Sequence, residues 1–385
     1  MIDRLITQRI HEIKKSILLL GPRQVGKSTL LKGFSSDLFF NLMDEETFMS
    51  FSKDPGRLKR QIGAIQNPKR IIIDEIQRIP TLLNSIQAIV DANPHLQFIL
   101  TGSSARKLKK GGANLLPGRI VLEHLDPLSY WELKNNFDLE RILQLGSLPG
   151  IYLDPKSGPE VLGTYATVYL REEIQAEAAT KNLGGYARFL DVAAQASGEW
   201  INYSKIASDA EIPKETVRRF FTLLEETLLA YRVPPFHPTA SKRRVSQRDR
   251  FIFFDTGVRN AILGTHKNPA SPTEKGKLFE QWIILQIIAF VHGFKKEWRW
   301  SAYRTEGGAE VDVIVDVGKK YLAVECKWGK AVTESETRGL LSFESIAKKP
   351  VDKYVVYRGE NTEKFENGVL AIPFEKFLGD ILPSV

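Results

Sequence analysis

The sequence predicts a multidomain α/β protein, and three features of the 385-residue chain carry that prediction. Gly21-Pro22-Arg23-Gln24-Val25-Gly26-Lys27-Ser28-Thr29 is a complete G-x-x-x-x-G-K-[ST] phosphate loop. From Phe189 onward the alternation of apolar runs and helical periods gives way to helices. Between residues 276 and 327 an apolar helix and two apolar strands carry acids in a regular order. The expected domains are 1–150, a phosphate-loop domain built on a parallel sheet; 151–265, a helical domain; and 266–385, a second α/β domain.

The phosphate loop has the right flanks. Ser16 to Leu20 is a short apolar run that reads as a buried parallel strand, and Thr29 to Gly33 reads as a helix ending on glycine. Loop amides and the positive helix end then converge on phosphates, with Lys27 reaching the β- and γ-phosphates and Ser28 ligating Mg²⁺. Gly21 to Thr29 are therefore the expected nucleotide-binding residues. Ile71-Ile72-Ile73-Asp74-Glu75 is a second buried strand that delivers two acids to its C-terminal edge. Asp74 would hold Mg²⁺ through water, and Glu75 would orient or deprotonate the attacking water. ATP and Mg²⁺ are the expected cofactors, and hydrolysis the expected reaction.

A third strand, Gln97 to Thr101, ends in Gly102-Ser103-Ser104. At this point the chain resembles the AAA+ ATPases, a RecA-like phosphate-loop class. The resemblance implies that this strand tip senses the γ-phosphate, with Ser103 or Ser104 at a position where Asn or Thr is more usual. A plain strand-to-helix turn is the other reading. The resemblance also implies an arginine supplied by a neighbouring subunit, and therefore a homo-oligomer, with a hexameric ring as one form. Arg119, on a turn before another strand, is one candidate for that catalytic arginine, and Arg171 is a second.

Composition bounds the class. The chain is 43% hydrophobic and 26% charged, within the range of globular proteins. A single cysteine, Cys326, excludes an intramolecular disulfide framework and fits a reducing compartment. The start, Met1-Ile2-Asp3-Arg4, has no apolar core of signal-peptide type, and the longest apolar stretch, Trp282 to Val291, is too short to span a bilayer. A cytoplasmic protein is expected, with no membrane partner. Lys and Arg outnumber Asp and Glu by 54 to 46, which favours a polyanionic partner, nucleic acid and first of all DNA. Ser241 to Arg250 holds five basic residues and one acid, either a solvated loop or a wing that tracks phosphates.

In the middle of the chain, Asn202 to Ala207 begins a short helix and Glu211-Ile212-Pro213 is a turn. A longer helix follows, with Val217, Phe220, Phe221, Leu224 and Leu228 on one face and Lys214, Arg218 and Arg219 exposed. Extended segments come next, so the layout is that of a winged helix, used either on DNA or for packing.

The C-terminal acids are Glu280 on the apolar helix, Asp312 on the strand Glu310 to Val315, and Glu325 with Lys327 on the strand Leu322 to Lys327. Period-two alternation points Glu325 and Lys327 one way and Val324 and Cys326 into the core. This resembles the PD-(D/E)xK nuclease superfamily, with Val311 in place of the proline that performs no chemistry. The resemblance implies a Mg²⁺ or Mn²⁺ site held by Glu280, Asp312 and Glu325, with Lys327 orienting water or stabilising the pentavalent phosphate. Nearly the whole chain resembles a broad bacterial and archaeal group with an AAA+ ATPase, a winged-helix linker and a nuclease-like domain. Three functions are then open: an ATP-driven DNA-cutting enzyme, a DNA remodeller or branch-migrating ATPase that uses the last domain for grip, and a regulatory NTPase switch.

Overall fold

Five short strands open the chain: β1 (Ser16–Leu20), β2 (Leu38–Asn41), β3 (Arg70–Asp74), β4 (Gln97–Gly102) and β5 (Ile120–His124). They form one sheet in the order β2-β3-β4-β1-β5, with every pairing parallel. The reason is composition: β1 and β4 are buried along their whole length, as parallel strands covered on both faces must be. Edge strand β2 instead alternates between half-buried and exposed residues. Helix Leu82–Ala92 presents Leu82, Leu83, Ile86 and Ile89 to the core that Ile71, Ile73, Phe98 and Leu100 build. Each such side chain taken out of water contributes about 1.5–3 kcal/mol. This computed structural model describes residues 2–104, 106, 108, 118–169, 183–237 and 245–385.

The chain packs as two units. One is Met1–Leu128 with Thr222–Leu229, and the other is Ser129–Phe221 with Ala230–Val385. Within the described residues, the middle of the chain has helices Leu183–Gln195, Tyr203–Asp209 and Lys214–Glu226, followed by β6 (Ala230–Val233) and β7 (Arg250–Phe253), an antiparallel pair. The helix–turn–helix and the extended segments thus form where the sequence predicts them. Lys242, Arg243 and Arg244 of the basic segment lie outside the described residues, as does Arg171.

The C-terminal sheet contains β8 (Arg299–Arg304), β9 (Glu310–Asp316), β10 (Tyr321–Lys327), β11 (Val351–Tyr357), β12 (Glu363–Lys364) and β13 (Leu370–Pro373). Its order is β12-β13-β11-β10-β9-β8, parallel from β10 through β11 to β13 and antiparallel elsewhere. The apolar helix runs Pro272–Gly293, four residues ahead of the start read at Gly276, because Ser271 caps it by accepting from the Glu274 N–H. The tail beyond Gly359, where the sequence shows no motif, supplies β12 and β13 and sends Phe374 against Phe279 and Trp282.

Segments on the two sides of the boundary expected near residue 265 pair with each other. The Phe236 N–H donates to the Ala302 carbonyl (2.8 Å), Ala302 to Pro234 (2.9 Å) and Ser246 to Arg304 (2.8 Å). Segments of the middle region thereby cover β8, which would otherwise expose an unpaired edge. The N-terminal stretch of the first unit ends at Leu128. No described helix is long and apolar enough to cross a membrane.

Helix Arg338–Glu344 lies backbone to backbone on the start of β9, since a Cβ on Gly339 would fall 1.7 Å from the Glu310 carbonyl oxygen. Gly339→Ala must displace the strand that carries Asp312. It is expected to cost about 1–3 kcal/mol, read as a fall in the denaturant midpoint.

Candidate functional site

The phosphate loop leaves β1 at a point where only glycine fits. A Cβ on Gly21 would lie 2.3 Å from the Leu125 carbonyl oxygen. Gln24 (φ 64°) and Gly26 (φ 95°) then turn left-handed before helix Lys27–Leu31 begins. Buried Arg4 braces the loop, donating from Nη1 to the Val25 carbonyl (2.6 Å) and from Nη2 to that of Asp126 (2.6 Å). The Lys27 ammonium is folded onto the carbonyls of Gly21 (2.8 Å) and Pro22 (2.9 Å), 4.0 Å from Glu75 Oε1. A cavity of about 310 Å³ opens here, lined by Arg23, Gln24, Gly26, Lys27, Ser28 and Thr29 from the loop and by Asp74 and Glu75 from β3. Lys32, with Phe39 and Asn41 of β2 and Met43 just after it, completes its wall, a contribution that no sequence motif marks.

The two acids are set by β4. The Thr101 hydroxyl donates to Asp74 Oδ1 and accepts from the Glu75 N–H (2.9 Å). Glu75 is itself left-handed (φ 61°, ψ 45°), a conformation that costs a non-glycine residue about 1 kcal/mol or more. The chain turns sharply at that residue, and Glu75 Oε2 meets the Gln77 amide, whose Nε2 also donates to Ser103 Oγ (2.9 Å). Ser103 Oγ also donates directly to Glu75 Oε2 (3.4 Å), and Ser104 is buried beside it. Gly21, Pro22 and Val25 support the loop without lining the cavity. Arg119 forms a two-pronged pair with Asp91 of its own chain (Nη2–Oδ2 3.1 Å) and does not line the cavity. The residues present fit a nucleoside triphosphate with Mg²⁺: loop amides and Lys27 for phosphates, Ser28 and Asp74 for the ion.

The C-terminal acids meet partners that the sequence does not mark. Glu325 and Lys327 do share a side, with Lys327 Nζ donating to Glu325 Oε1 (2.8 Å), while Val324 and Cys326 are buried. Asp312 is buried and accepts from the Cys326 N–H through Oδ2 (2.7 Å). Glu280 is bound by Arg250 of β7, the last residue of the basic segment Ser241 to Arg250. Arg250 also donates to the carbonyls of Gly198 (2.6 Å) and Asp312 (2.9 Å), and its side chain is only 2% exposed. Among the described residues, no three His, Cys, Asp or Glu side chains are grouped to hold a metal ion. Of the acids in the expected metal site, Glu280 meets a guanidinium and Asp312 a main-chain amide, while Glu325 Oε2 is buried without a hydrogen-bond partner. A cavity of about 740 Å³ lies alongside, lined by Trp200, Arg248, Lys277, Arg304, Arg250 and Glu280 among others, but not by Asp312, Glu325 or Lys327.

Burial and the neighbouring carboxylates of Glu280 and Glu325 raise the Asp312 carboxyl well above the usual range. Burial pushes Glu325 up to about 7, against the pull of Lys327. Burial alone would lower Lys327 and Arg250, but the adjoining carboxylates hold both above their ordinary values.

Residues 13–134 match the family model described as "AAA domain". Residues 136–268 and 275–377 match two families described as domains of unknown function, DUF8612 and DUF4143. The N-terminal unit thus carries an AAA domain on a parallel five-stranded sheet. The chain is similar to an uncharacterized protein of Mycobacterium tuberculosis, 25% identical over 370 residues, covering 94% of this chain and 80% of the relative. It is similar as well to an uncharacterized protein of Methanocaldococcus jannaschii, 24% identical over 424 residues, covering 96% and 85%. Among solved structures it is similar to AMPPCP-bound DnaA from Aquifex aeolicus, with TM-score 0.29, 14% identity and coverage of 57% of this chain and 84% of that one.

A carboxyl held near 7 in the fold and near 4.5 in the unfolded chain makes the fold bind a proton between those values. Its stabilisation is complete below pH 4.5 and lost as pH rises through 7. Glu325→Gln is therefore expected to shrink the fall in unfolding free energy between pH 4.5 and 8, by on the order of 3 kcal/mol. Denaturant titrations of both proteins at the two pH values measure it.

Proposed function

We propose that the protein hydrolyses ATP in its N-terminal unit and couples the cycle to nucleic acid, DNA before RNA, through a C-terminal half that grips without cutting. The observation that carries hydrolysis is the Thr101–Asp74–Glu75 arrangement at the mouth of the phosphate loop. A site that only binds nucleotide has no need of a buried, left-handed glutamate aimed at the loop lysine. When bound, ATP supplies the γ-phosphoryl group and Mg²⁺ neutralises developing charge. Lys27 leaves the loop carbonyls for the phosphates, Ser28 and Asp74 orient the ion, and Glu75 takes a proton from the attacking water. Ser103, directly and through Gln77, reports on the position of Glu75. Arg119 is the proposed finger in trans within a homo-oligomer, which requires it to leave Asp91.

Nucleic acid as the partner is supported by the net charge of +8 and by the helix–turn–helix with its strand pair, read as a winged helix. The competing reading is the metal-dependent nuclease, with Mg²⁺ or Mn²⁺ on Glu280, Asp312 and Glu325. The Arg250–Glu280 pair favours grip over cleavage, because it occupies an oxygen that a metal would need.

Lys27→Ala is expected to abolish hydrolysis, and Glu75→Gln to retain ATP binding while lowering kcat about 10²–10⁴-fold. Phosphate release with and without DNA is the measurement, and unchanged turnover at saturating DNA would remove DNA as the partner. Linear, circular and branched DNA with Mg²⁺ or Mn²⁺ are expected to stay intact. Cutting that vanishes in Glu325→Ala would restore the nuclease.

A further inference from the structure

We infer that Arg250 is the resident cation of the C-terminal acidic cluster and stands where a nuclease of this type would carry its metal. The inference rests on reading Glu280, Asp312, Glu325 and Lys327 as nuclease-like positions, and it says what that site has become. Each acid has one internal partner, although Glu325 Oε2 is buried without one. Glu280 pairs with the Arg250 guanidinium, Asp312 accepts from the Cys326 N–H, and Glu325 accepts from Lys327. Arg250 reaches in from β7, and each of its three nitrogens donates: Nε to Gly198, Nη1 to Asp312, Nη2 to Glu280.

That geometry works against a divalent ion at Glu280 for two reasons. Mg²⁺ demands near-octahedral oxygens at about 2.0–2.1 Å. A guanidinium already bonded to one carboxylate and to the carbonyl of the Asp312 residue fills that side of the cluster. A divalent ion brought within contact of half-buried Glu280 would also stand against the fixed positive charge of Arg250, which water screens only in part. Arginine does not deprotonate in proteins, so this cation is permanent, and pH does not lift it.

Arg250 is also well fixed. Trp200 pairs with it across an antiparallel bridge, and the Trp200 ring lies under its guanidinium at 5.8 Å. The Trp200 indole in turn donates to Glu310 Oε1 (2.6 Å). The Gly198 N–H donates to Phe251 (2.8 Å) and the Ile201 N–H to Asp249 (2.9 Å), so main-chain bonds hold β7 on both sides of the arginine. The strand pair of the middle region and the acidic centre are therefore one assembly, joined through a charge that a metal would have to displace.

The test is a Mn²⁺ titration of the full chain followed by electron paramagnetic resonance, without nucleotide and in an Asp74→Asn background that removes the N-terminal ion site. The parent protein is expected to show no Mn²⁺ at the acidic cluster. Arg250→Ala, checked for its fold by circular dichroism, is expected to gain one site per chain with affinity raised about tenfold or more, and Arg250→Ala/Glu280→Gln to lose it. Stoichiometric Mn²⁺ on the parent that Glu280→Gln removes would overturn the inference, as would a folded Arg250→Ala that gains nothing. If Arg250→Ala does not fold, the parent and Glu280→Gln titrations decide alone. The readout depends on neither ATP turnover nor DNA cleavage, so it fails separately from the proposed function.

Discussion

Arg250 donates to two main-chain carbonyls and one carboxylate from a side chain almost wholly removed from water, and the C-terminal half is arranged around those bonds. Burying a guanidinium costs several kcal/mol in lost hydration, which is recovered only when every donor finds a well-placed acceptor. Here the acceptors come from three separate stretches of chain: the turn at Gly198, helix Pro272–Gly293 and β9. All three must be in register before the charge is satisfied. The constraint thereby ties the helical middle region to the second sheet, and it explains why the two pack as one unit.

The N-terminal unit solves a related problem with strain in place of charge. β3 must deliver Asp74 and Glu75 to one edge, yet successive residues of a strand point to opposite faces. A left-handed Glu75 turns the chain immediately after Asp74, and the Thr101 hydroxyl holds both residues from the neighbouring strand. The cost of that conformation is offset by one hydroxyl that serves as donor and acceptor at once. Gln77 and a direct bond extend the arrangement to Ser103, so the tip of β4 and Glu75 are joined in one hydrogen-bonded set.

Much of the N-terminal site was legible because its chemistry is local. The spacing of Gly21, Gly26, Lys27 and Ser28 is dictated by the size of a phosphate group, and buried parallel strands announce themselves as unbroken apolar runs at Ser16 to Leu20 and Ile71 to Ile73. Gln77 and Thr101 were not legible, since a Gln after a strand and a Thr within one are ordinary residues until another strand is set beside them. Arg4 was hidden for the same reason, 21 residues from the loop carbonyl that it braces.

At the other end, the sequence by itself determined that Glu325 and Lys327 share a side and that Val324 and Cys326 are buried, because strand periodicity leaves no choice. It also determined the order of the acids along helix, first strand and second strand. Only the tertiary structure decided what those acids are bonded to. Arg250 lies 30 residues from Glu280 and 62 from Asp312, inside a segment whose basic residues read equally as loop or wing. Periodicity reports which face a side chain occupies, but the identity of its partner depends on which distant segments pack against that face. In a buried site the partner decides whether a carboxylate faces a metal or an arginine.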